Sequence, residues 1–144
     1  MRTLRHHLTV ITLALFVAAG CTSTAASAAA RHPARSSTTR TITERDKGTT
    51  VALHVGDHLK LSLSNTYWDI QLASDTAVLR SDGPPVTKGK LQGCVPGAGC
   101  GTVIGAFTAV RTGTAIVSAS RTTCGEAILC AGGNGEYKVS VIVR

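Results

Sequence analysis

Four cysteines form two motifs of identical spacing, and they are the side chains in this sequence that are best able to do chemistry. The first motif, "CVPGAGC", runs from Cys94 to Cys100, and the second, "CGEAILC", runs from Cys124 to Cys130. Such pairs can bind zinc, carry out redox reactions or form structural disulfides. Redox motifs and zinc knuckles favour the shorter C-x-x-C spacing, and no histidine lies next to either motif here. The spacing therefore favours disulfides, and no metal site is predicted.

The N-terminus predicts that the protein is exported. A basic stretch, "MRTLRHH", precedes "LTVITLALFVAAG", which is uncharged and too short for a permanent membrane span. Residues 1–20 are therefore predicted to be a signal peptide of the lipoprotein type. The small residues Ala18, Ala19 and Gly20 precede Cys21 directly. This pattern resembles the bacterial lipobox, in which the cysteine is acylated and becomes the mature N-terminus.

Ordinary signal cleavage is the alternative, because "ASA" ends at Ala28 and offers a second cleavage site. Cleavage there would remove Cys21 and release the protein. Both routes predict an extracytoplasmic location. In the first the protein is anchored to the cell membrane by a lipid, and in the second it is secreted.

Export predicts two disulfides, because thiols outside the cytosol are normally oxidised. Of the five cysteines, a lipid would consume Cys21, and four remain. Four cysteines permit three pairings. Local pairing within each motif is favoured because Pro96 and Gly97 supply the tight turn that a short ring needs. Pairing between the two motifs, which would join the two segments more firmly, stays open.

The positive charge of the chain is concentrated in its first 40 residues. The formal net charge is +7, yet residues 1–40 contain five arginines and no acidic residue. The rest is close to neutral and lacks a basic surface with interleaved aromatics, so nucleic acid binding is not predicted. Residues 21–43 are rich in Ala, Ser, Thr and Arg and are predicted to be a disordered tether. Residues 44–144 are predicted to form one folded domain, which we expect to be a monomer.

The sequence offers no set of catalytic residues. His54 and His58 flank a Gly-Asp turn and are predicted to lie on the surface. Asp69 and Glu126 are lone carboxylates, without the paired spacing of acid–base catalysis. No serine nucleophile motif or phosphate-binding loop is present. We therefore predict no catalytic residue, no cofactor and no enzymatic activity.

Seven short segments have the apolar and polar pattern of β-strands, and no window has a helical period. Trp68, Ile70 and Leu72 share one parity and are predicted to be buried, whereas Tyr67 should face the other way and be free for contacts. Glycine-rich and polar turns separate the segments. The pattern predicts an all-β protein with a seven-stranded immunoglobulin-like β-sandwich. The seven segments are "TVALHV", "HLKLSLS", "YWDIQLA", "AVLR", "TVIGAFTAVR", "GTAIVSASR" and "EYKVSVIV".

Three stretches of the domain resemble the chagasin-type inhibitors of papain-like cysteine proteases. They are "TVALHVGDHLKLSLSN" with the following "YW", "GCGTVIGAFTAVRTGTAIVSASR" and "YKVSVIV", in this order over about residues 49–143. The chain is more closely similar to small secreted actinobacterial lipoproteins without an assigned function. The resemblance implies a chagasin-like topology for the sandwich.

The resemblance also implies three adjacent binding loops. The family carries an Asn-Pro-Thr-Thr-Gly-aromatic loop, a glycine-rich loop and an Arg-Pro-Trp loop. In this sequence the proline and the Thr-Gly pair of the first motif are missing, as are the proline and tryptophan of the third. The matching positions are Asn65, Thr66 and Tyr67 in the first loop, Pro96, Gly97, Gly99 and Gly101 in the second, and Arg121, Thr122 and Thr123 in the third.

These observations predict a cell-surface binding module that uses disulfide-closed loops at one end of the sandwich. The expected partner is a protein or a component of the cell envelope, and the membrane is contacted only through the N-terminal lipid. The alternative is a chagasin-like peptidase inhibitor with altered loops. Because two loops lack family residues, we expect weak inhibition of papain.

Overall fold

The computed structural model describes residues 35–89, 92–125 and 128–144, so the predicted signal peptide, Cys21 and most of the predicted tether lie outside the described residues. One 3-10 turn, Glu44–Asp46, is the only helical segment in these ranges. The strands are β1 (Thr39–Ile42), β2 (Thr50–Leu53), β3 (His58–Ser64), β4 (Asp69–Ile70), β5 (Leu79–Ser81), β6 (Val86–Gly89), β7 (Gly101–Ala109), β8 (Gly113–Ser120), β9 (Thr123–Gly125), β10 (Ile128–Leu129) and β11 (Glu136–Val143).

Two sheets form a β-sandwich, as the sequence pattern predicts. The first has the order β1, β3, β7, and then β5 and β6 along the far edge of β7. The second has the order β2, β11, β8, β4, and a separate pair is formed by β9 and β10. Neighbouring strands are antiparallel except for the pairs β1 with β3 and β2 with β11. The fold class is confirmed, and the additional strands are short ones at the edges and in the loops.

The core lies between the inner faces of the sheets. Along β3, β7, β8 and β11, buried residues alternate with exposed or half-buried ones, as the pleat of a half-buried strand requires. Phe107 and Tyr137 are its largest fully buried side chains. The other members are Ile42, Val51, Leu53, Leu59, Leu61, Leu63, Trp68, Ile70, Ala73, Val78, Leu79, Val103, Ala109, Ala115, Val117, Ala119, Val139, Val141 and Val143.

Leu72 is an exception to the predicted alternation. Trp68 and Ile70 are buried as expected, but 68% of Leu72 is exposed. Strand β4 ends at Ile70, and the chain beyond it meets β8 irregularly: Gln71 donates to Ser118, whereas Ser74 donates to Ile116. The segment therefore advances by three residues, from 71 to 74, while β8 advances by two, from 118 to 116, so the segment contains one extra residue. Such a bulge breaks the two-residue period, so parity no longer predicts which side chain is buried.

The folded domain begins earlier than predicted. The predicted tether included residues 39–43, but Thr39–Ile42 form β1, which pairs with β3 in parallel. Ile42 lies beside Leu61 in the register and is fully buried. Thr43 then caps the 3-10 turn: its side chain accepts from the Arg45 amide, and its own amide donates to the Asp46 carboxylate at 2.8 Å. The boundary was wrong because threonine favours strands as well as polar linkers, and one buried isoleucine is enough to fix so short an edge strand.

A buried carboxylate fixes the point where the chain enters the domain. Asp57 is only 3% exposed, and it accepts hydrogen bonds from the backbone amides of His54 (2.8 Å) and Thr38 (2.9 Å) and from the Thr38 hydroxyl (3.0 Å). These hydrogen bonds, together with the nearby Arg35 guanidinium at 3.7 Å, hold the pKa of Asp57 well below its usual range. The start of β1 is thereby attached to the turn that precedes β3.

Candidate binding surface at one end of the sandwich

Strand direction brings the three predicted loops to one end of the molecule. β3 ends at Ser64, beside Thr102 at the start of β7, so the segments after β3 and before β7 are neighbours. β4 starts only a few residues after Ser64, and Asp69 pairs with Ser120 at the end of β8. Glu136, at the start of β11, pairs with the same Ser120. We call residues 65–68, 92–101 and 121–135, apart from 126 and 127, the loop end.

Both disulfides are local. Cys94 is bonded to Cys100, and Cys124 is bonded to Cys130, with Cα–Cα distances of 5.9 and 5.0 Å. The favoured pairing within each motif is confirmed, and the pairing between motifs is not formed. We call these the first ring and the second ring.

The first ring is held by the segment that follows β3. The backbone amides of Asn65 and Thr66 donate to the carbonyls of Gly101 and Gly99, both at 2.8 Å. The Asn65 side chain donates to the carbonyl of Ala98 at 3.4 Å and accepts from the amide of Tyr67 at 2.8 Å. The two segments that the resemblance places side by side are therefore joined by backbone hydrogen bonds.

Asn65 and Gly99 have backbone conformations that this contact requires. Asn65 has a φ of 92°, a region that asparagine tolerates better than most residues because its side chain can bond locally. Gly99 has a φ of +63°, and a Cβ there would lie 2.5 Å from Asn65 Oδ1 and 2.7 Å from the ring of Tyr67. Gly99 thus allows the first ring to pack directly against both side chains.

Tyr67 supports the first ring and is also partly exposed. Its side chain faces outward as predicted, with 37% of the residue exposed. Its hydroxyl donates to the carbonyl of Gly97 at 2.7 Å. The hydroxyl is therefore engaged inside the loop end, and what Tyr67 offers a partner is part of its ring. Pro96 and Gly97, which belong to the first disulfide ring, are also exposed.

The second ring displays apolar side chains. It contains the β9–β10 hairpin, and Ile128 and Leu129 are 65% and 76% exposed. Val95 of the first ring is also exposed, at 58%. None of these three residues was predicted from the sequence to contact a partner. An adjacent Ile-Leu pair between two disulfide-bonded cysteines was the available signal, since so short a ring has no interior in which to bury it.

Arg121 lies at the base of the second ring, against Trp68. Its guanidinium carbon is 4.4 Å from the centre of the Trp68 ring, a cation–π arrangement, and the Trp68 indole donates to the carbonyl of Ser64 at 3.0 Å. The Arg121 amide donates to the carbonyl of Gly135 at 2.8 Å. The tryptophan predicted to be buried thus holds the arginine predicted for the third loop. Thr122 accepts from the amide of Cys130, and Thr123 begins β9.

The remaining candidate residues are not assembled into a site. His58 is at the opposite end, where its Nδ1 lies 3.0 Å from the Thr108 hydroxyl, and His54 is also exposed there. Asp69 is exposed, and Glu126 lies outside the described residues. Within the described ranges, no three metal-binding side chains are clustered. The described ranges also contain no helix with the length and apolar character needed to cross a bilayer.

The overall architecture resembles solved structures. No protein-family model matches the sequence, and no curated protein matches it. The crystal structure of EhICP2, a cysteine protease inhibitor from Entamoeba histolytica, aligns with a TM-score of 0.54 at 14% identity, over 74% of this chain and 96% of that one. The solution structure of amebosin aligns with a TM-score of 0.51 at 14% identity, over 76% of this chain and 100% of that one. At this identity the similarity concerns the fold, and this chain has the chagasin-like β-sandwich fold that the family resemblance implies.

Proposed function

We propose that the protein is an exported, lipid-anchored module that binds a protein of its surroundings, or another component of the cell envelope, through the loop end. The observation that carries this proposal is the exposure of Ile128 and Leu129 on a disulfide-closed hairpin. Exposed apolar residues that are clustered on a rigid support are typical of interaction sites.

Rigidity of the loop end supports a role in binding. Two disulfides close its rings, and three hydrogen bonds join the first ring to residues 65–67. Loops that are already ordered lose less conformational entropy when a partner binds. The loop end therefore suits recognition of a preferred partner.

The direction of the chain supports surface display. The chain enters the domain at the start of β1, which is fixed to Asp57 at the end opposite the loops. β7 runs between the two ends over 9 residues, which corresponds to roughly 30 Å at about 3.4 Å per residue. A chain that continues towards a lipid on Cys21 would thus leave the domain at the end away from the loop end.

A comparison of bait proteins tests the binding site. The bait is the full mature chain carrying Cys21→Ala, used to capture partners from the envelope and medium of the producing cell. We expect one partner to be retained by this bait and lost when Leu129→Ser is added. Ile142→Ser is the matched control, because Ile142 is 42% exposed but lies on β11, outside the loop end. Equal capture by all three baits would contradict the proposal.

Labelling with a fatty acid tests the anchor separately. The wild type should incorporate the label and remain with the membrane, whereas Cys21→Ala should appear in the medium. Equal release of both forms would exclude a lipid on Cys21 and leave ordinary secretion.

Peptidase inhibition is a second candidate function. It is favoured by the fold shared with a cysteine protease inhibitor and by Leu129, which supplies an apolar side chain near the third loop, where the family tryptophan is missing. The first loop still lacks the family insertion, so we expect papain inhibition to be weak or undetectable. Nanomolar inhibition of papain by the full mature chain would make this the leading function.

A further inference from the structure

A cavity beside the second ring contains a cation that has no acidic partner among the described residues. The cavity has a volume of about 440 Å³ and is lined by Arg121, Thr122, Leu129, Gly133 and Glu136, among others. No carboxylate of the described residues lies within 4.0 Å of the Arg121 guanidinium, and its Nε atom is buried without a hydrogen-bond partner. Guanidinium groups in such surroundings are usually paired, because an unpaired one loses hydration without compensation.

The described carboxylates that line a cavity together with Arg121 are engaged elsewhere. Glu136 pairs with Lys138 at 3.6 Å, and both groups are well exposed to water. Glu44, which lines a smaller neighbouring cavity with Arg121, accepts a hydrogen bond from the amide of Ser64. On the same side, Lys47 donates to the carbonyl of Gly133 at 2.7 Å and adds positive charge. Arg121 is thus the cation that lines the cavity, Lys47 adds a second positive charge where it bonds to Gly133 of the cavity wall, and Glu136 and Glu44 already have partners.

Trp68 holds the Arg121 guanidinium in a defined orientation. A guanidinium stacked on an indole keeps its planar face occupied and leaves its N–H edges for hydrogen bonding. A carboxylate is the group that matches such an edge, since its two oxygens can accept two parallel hydrogen bonds. Leu129 lines the same cavity, so an apolar neighbour of that carboxylate would also find a contact.

We propose that this cavity binds an acidic side chain of the partner, with Arg121 as the residue that recognises its carboxylate. The inference rests on the proposed function, because it assigns the chemistry of the partner to the same loop end. It specifies a protein segment in which a glutamate or aspartate lies next to an apolar residue.

Two capped peptides test the charge requirement. The probe is acetyl-Leu-Glu-Leu-amide, and acetyl-Leu-Gln-Leu-amide is its uncharged control. Binding to the full mature chain is followed by NMR through the Arg121 Nε–H and Trp68 indole N–H signals. We expect the glutamate peptide to shift both signals and to bind about tenfold more tightly than the glutamine peptide, in line with a charge-assisted hydrogen bond.

Variants of the cavity assign the effect to Arg121. Arg121→Gln should reduce the affinity for the glutamate peptide to that for the glutamine peptide, while Arg121→Lys, which keeps the charge but not the planar fork, should fall in between. The Trp68 indole signal reports whether each variant keeps its fold. Glu136→Gln should strengthen binding of the glutamate peptide, because it removes from the cavity wall a negative charge that repels the incoming carboxylate.

The outcomes separate this inference from the proposed function. Equal binding of both peptides, or unchanged binding in Arg121→Gln, would overturn the acidic subsite. A third result would also overturn it: the glutamate peptide binds Glu126→Gln but not the wild type. Glu126, the acidic residue of the second ring, would then be the native partner of Arg121. If in these cases the captured partner is still lost with Leu129→Ser, the loop end remains the binding site. If Leu129→Ser instead captures the partner as well as the parent bait does, the proposed function is refuted.

Discussion

The two disulfide rings have the same size but differ in what surrounds them. Both close with a sequence separation of 6. The first ring is bound to residues 65–67 through the carbonyls of Gly97, Ala98 and Gly99. The second ring has one backbone hydrogen bond to its base, from Cys130 to Thr122, besides those of its own hairpin in the described residues. It exposes Ile128 and Leu129 instead.

This difference indicates that the cysteine spacing determines the size of each disulfide ring, whereas the residues between the cysteines determine whether the ring packs on its neighbours or exposes apolar side chains. In "VPGAG" the side chains are mostly small, so neighbours can reach the backbone carbonyls. In "GEAIL" two large apolar side chains lie within the ring and cannot be buried by it. We infer that the first ring supports the loop end and the second ring contacts the partner.

Removal of all four bridging cysteines should have the largest effect. Replacing them with serine should lower the free energy of unfolding by roughly 4 kcal/mol, since the loop-entropy model gives roughly 2 kcal/mol for each ring. Urea unfolding followed by Trp68 fluorescence measures the loss. The two double variants, Cys94→Ser with Cys100→Ser and Cys124→Ser with Cys130→Ser, should lose equal amounts, because the rings are equal in size. If either double variant has the same urea midpoint of unfolding as the wild type, its ring adds nothing to stability.

Leu129→Ser should have the next largest effect, on affinity and not on stability. Loss of a central apolar contact typically costs about 2 kcal/mol or more, which is about thirtyfold in the dissociation constant of the captured partner. Because Leu129 is 76% exposed, the free energy of unfolding should change by less than about 0.5 kcal/mol. Isothermal titration calorimetry measures the affinity, with Val95→Ser on the first ring as the control. An equal loss in Val95→Ser would remove the distinction between the rings.

The sequence predicted most of the fold because long strands with one buried face have a regular alternation. β3, β7, β8 and β11 follow that pattern, and each overlaps a segment that was predicted to be a strand. β1 and the position of Leu72 were predicted wrongly, because an edge strand and a bulge depend on contacts with other segments. Local periodicity carries no information about such contacts.

Prediction of the site had a different limit. The adjacency of the loops followed from the resemblance to the chagasin-type family, and local disulfide pairing followed from the turn residues in the first ring. The role of Tyr67 did not follow, because its hydroxyl bonds to Gly97, which is thirty residues away. The exposure of Ile128 and Leu129 did not follow from the sequence either, because the family motif covers only Arg121–Thr123 and apolar residues in a strand-like sequence resemble core residues.

Gly99→Ala should destabilise the first ring by roughly 1 to 2 kcal/mol, a typical range for backbone strain at a positive φ. The added Cβ would also meet Asn65 Oδ1 and the Tyr67 ring at less than 3 Å. Gly132→Ala is a matched control: its φ of +58° is similar, but a Cβ there has no neighbour within 4 Å. The difference between the two variants in urea unfolding isolates the packing contribution. Equal losses would mean that the first ring does not rest on Asn65 and Tyr67.

Tyr67→Phe should have the smallest effect, a loss of about 0.5 kcal/mol, at the low end for a hydrogen bond because water can reach the exposed Gly97 carbonyl. Tyr67→Ala should lose more, since it also removes the ring that packs on Gly99. If the first ring only supports the second, Tyr67→Phe should barely change partner affinity, and its effect should add to that of Leu129→Ser without coupling. Calorimetry on the two single variants and the double variant tests this. A tenfold loss of affinity in Tyr67→Phe alone would instead place its hydroxyl in direct contact with the partner, and the first ring would then belong to the binding surface as much as the second.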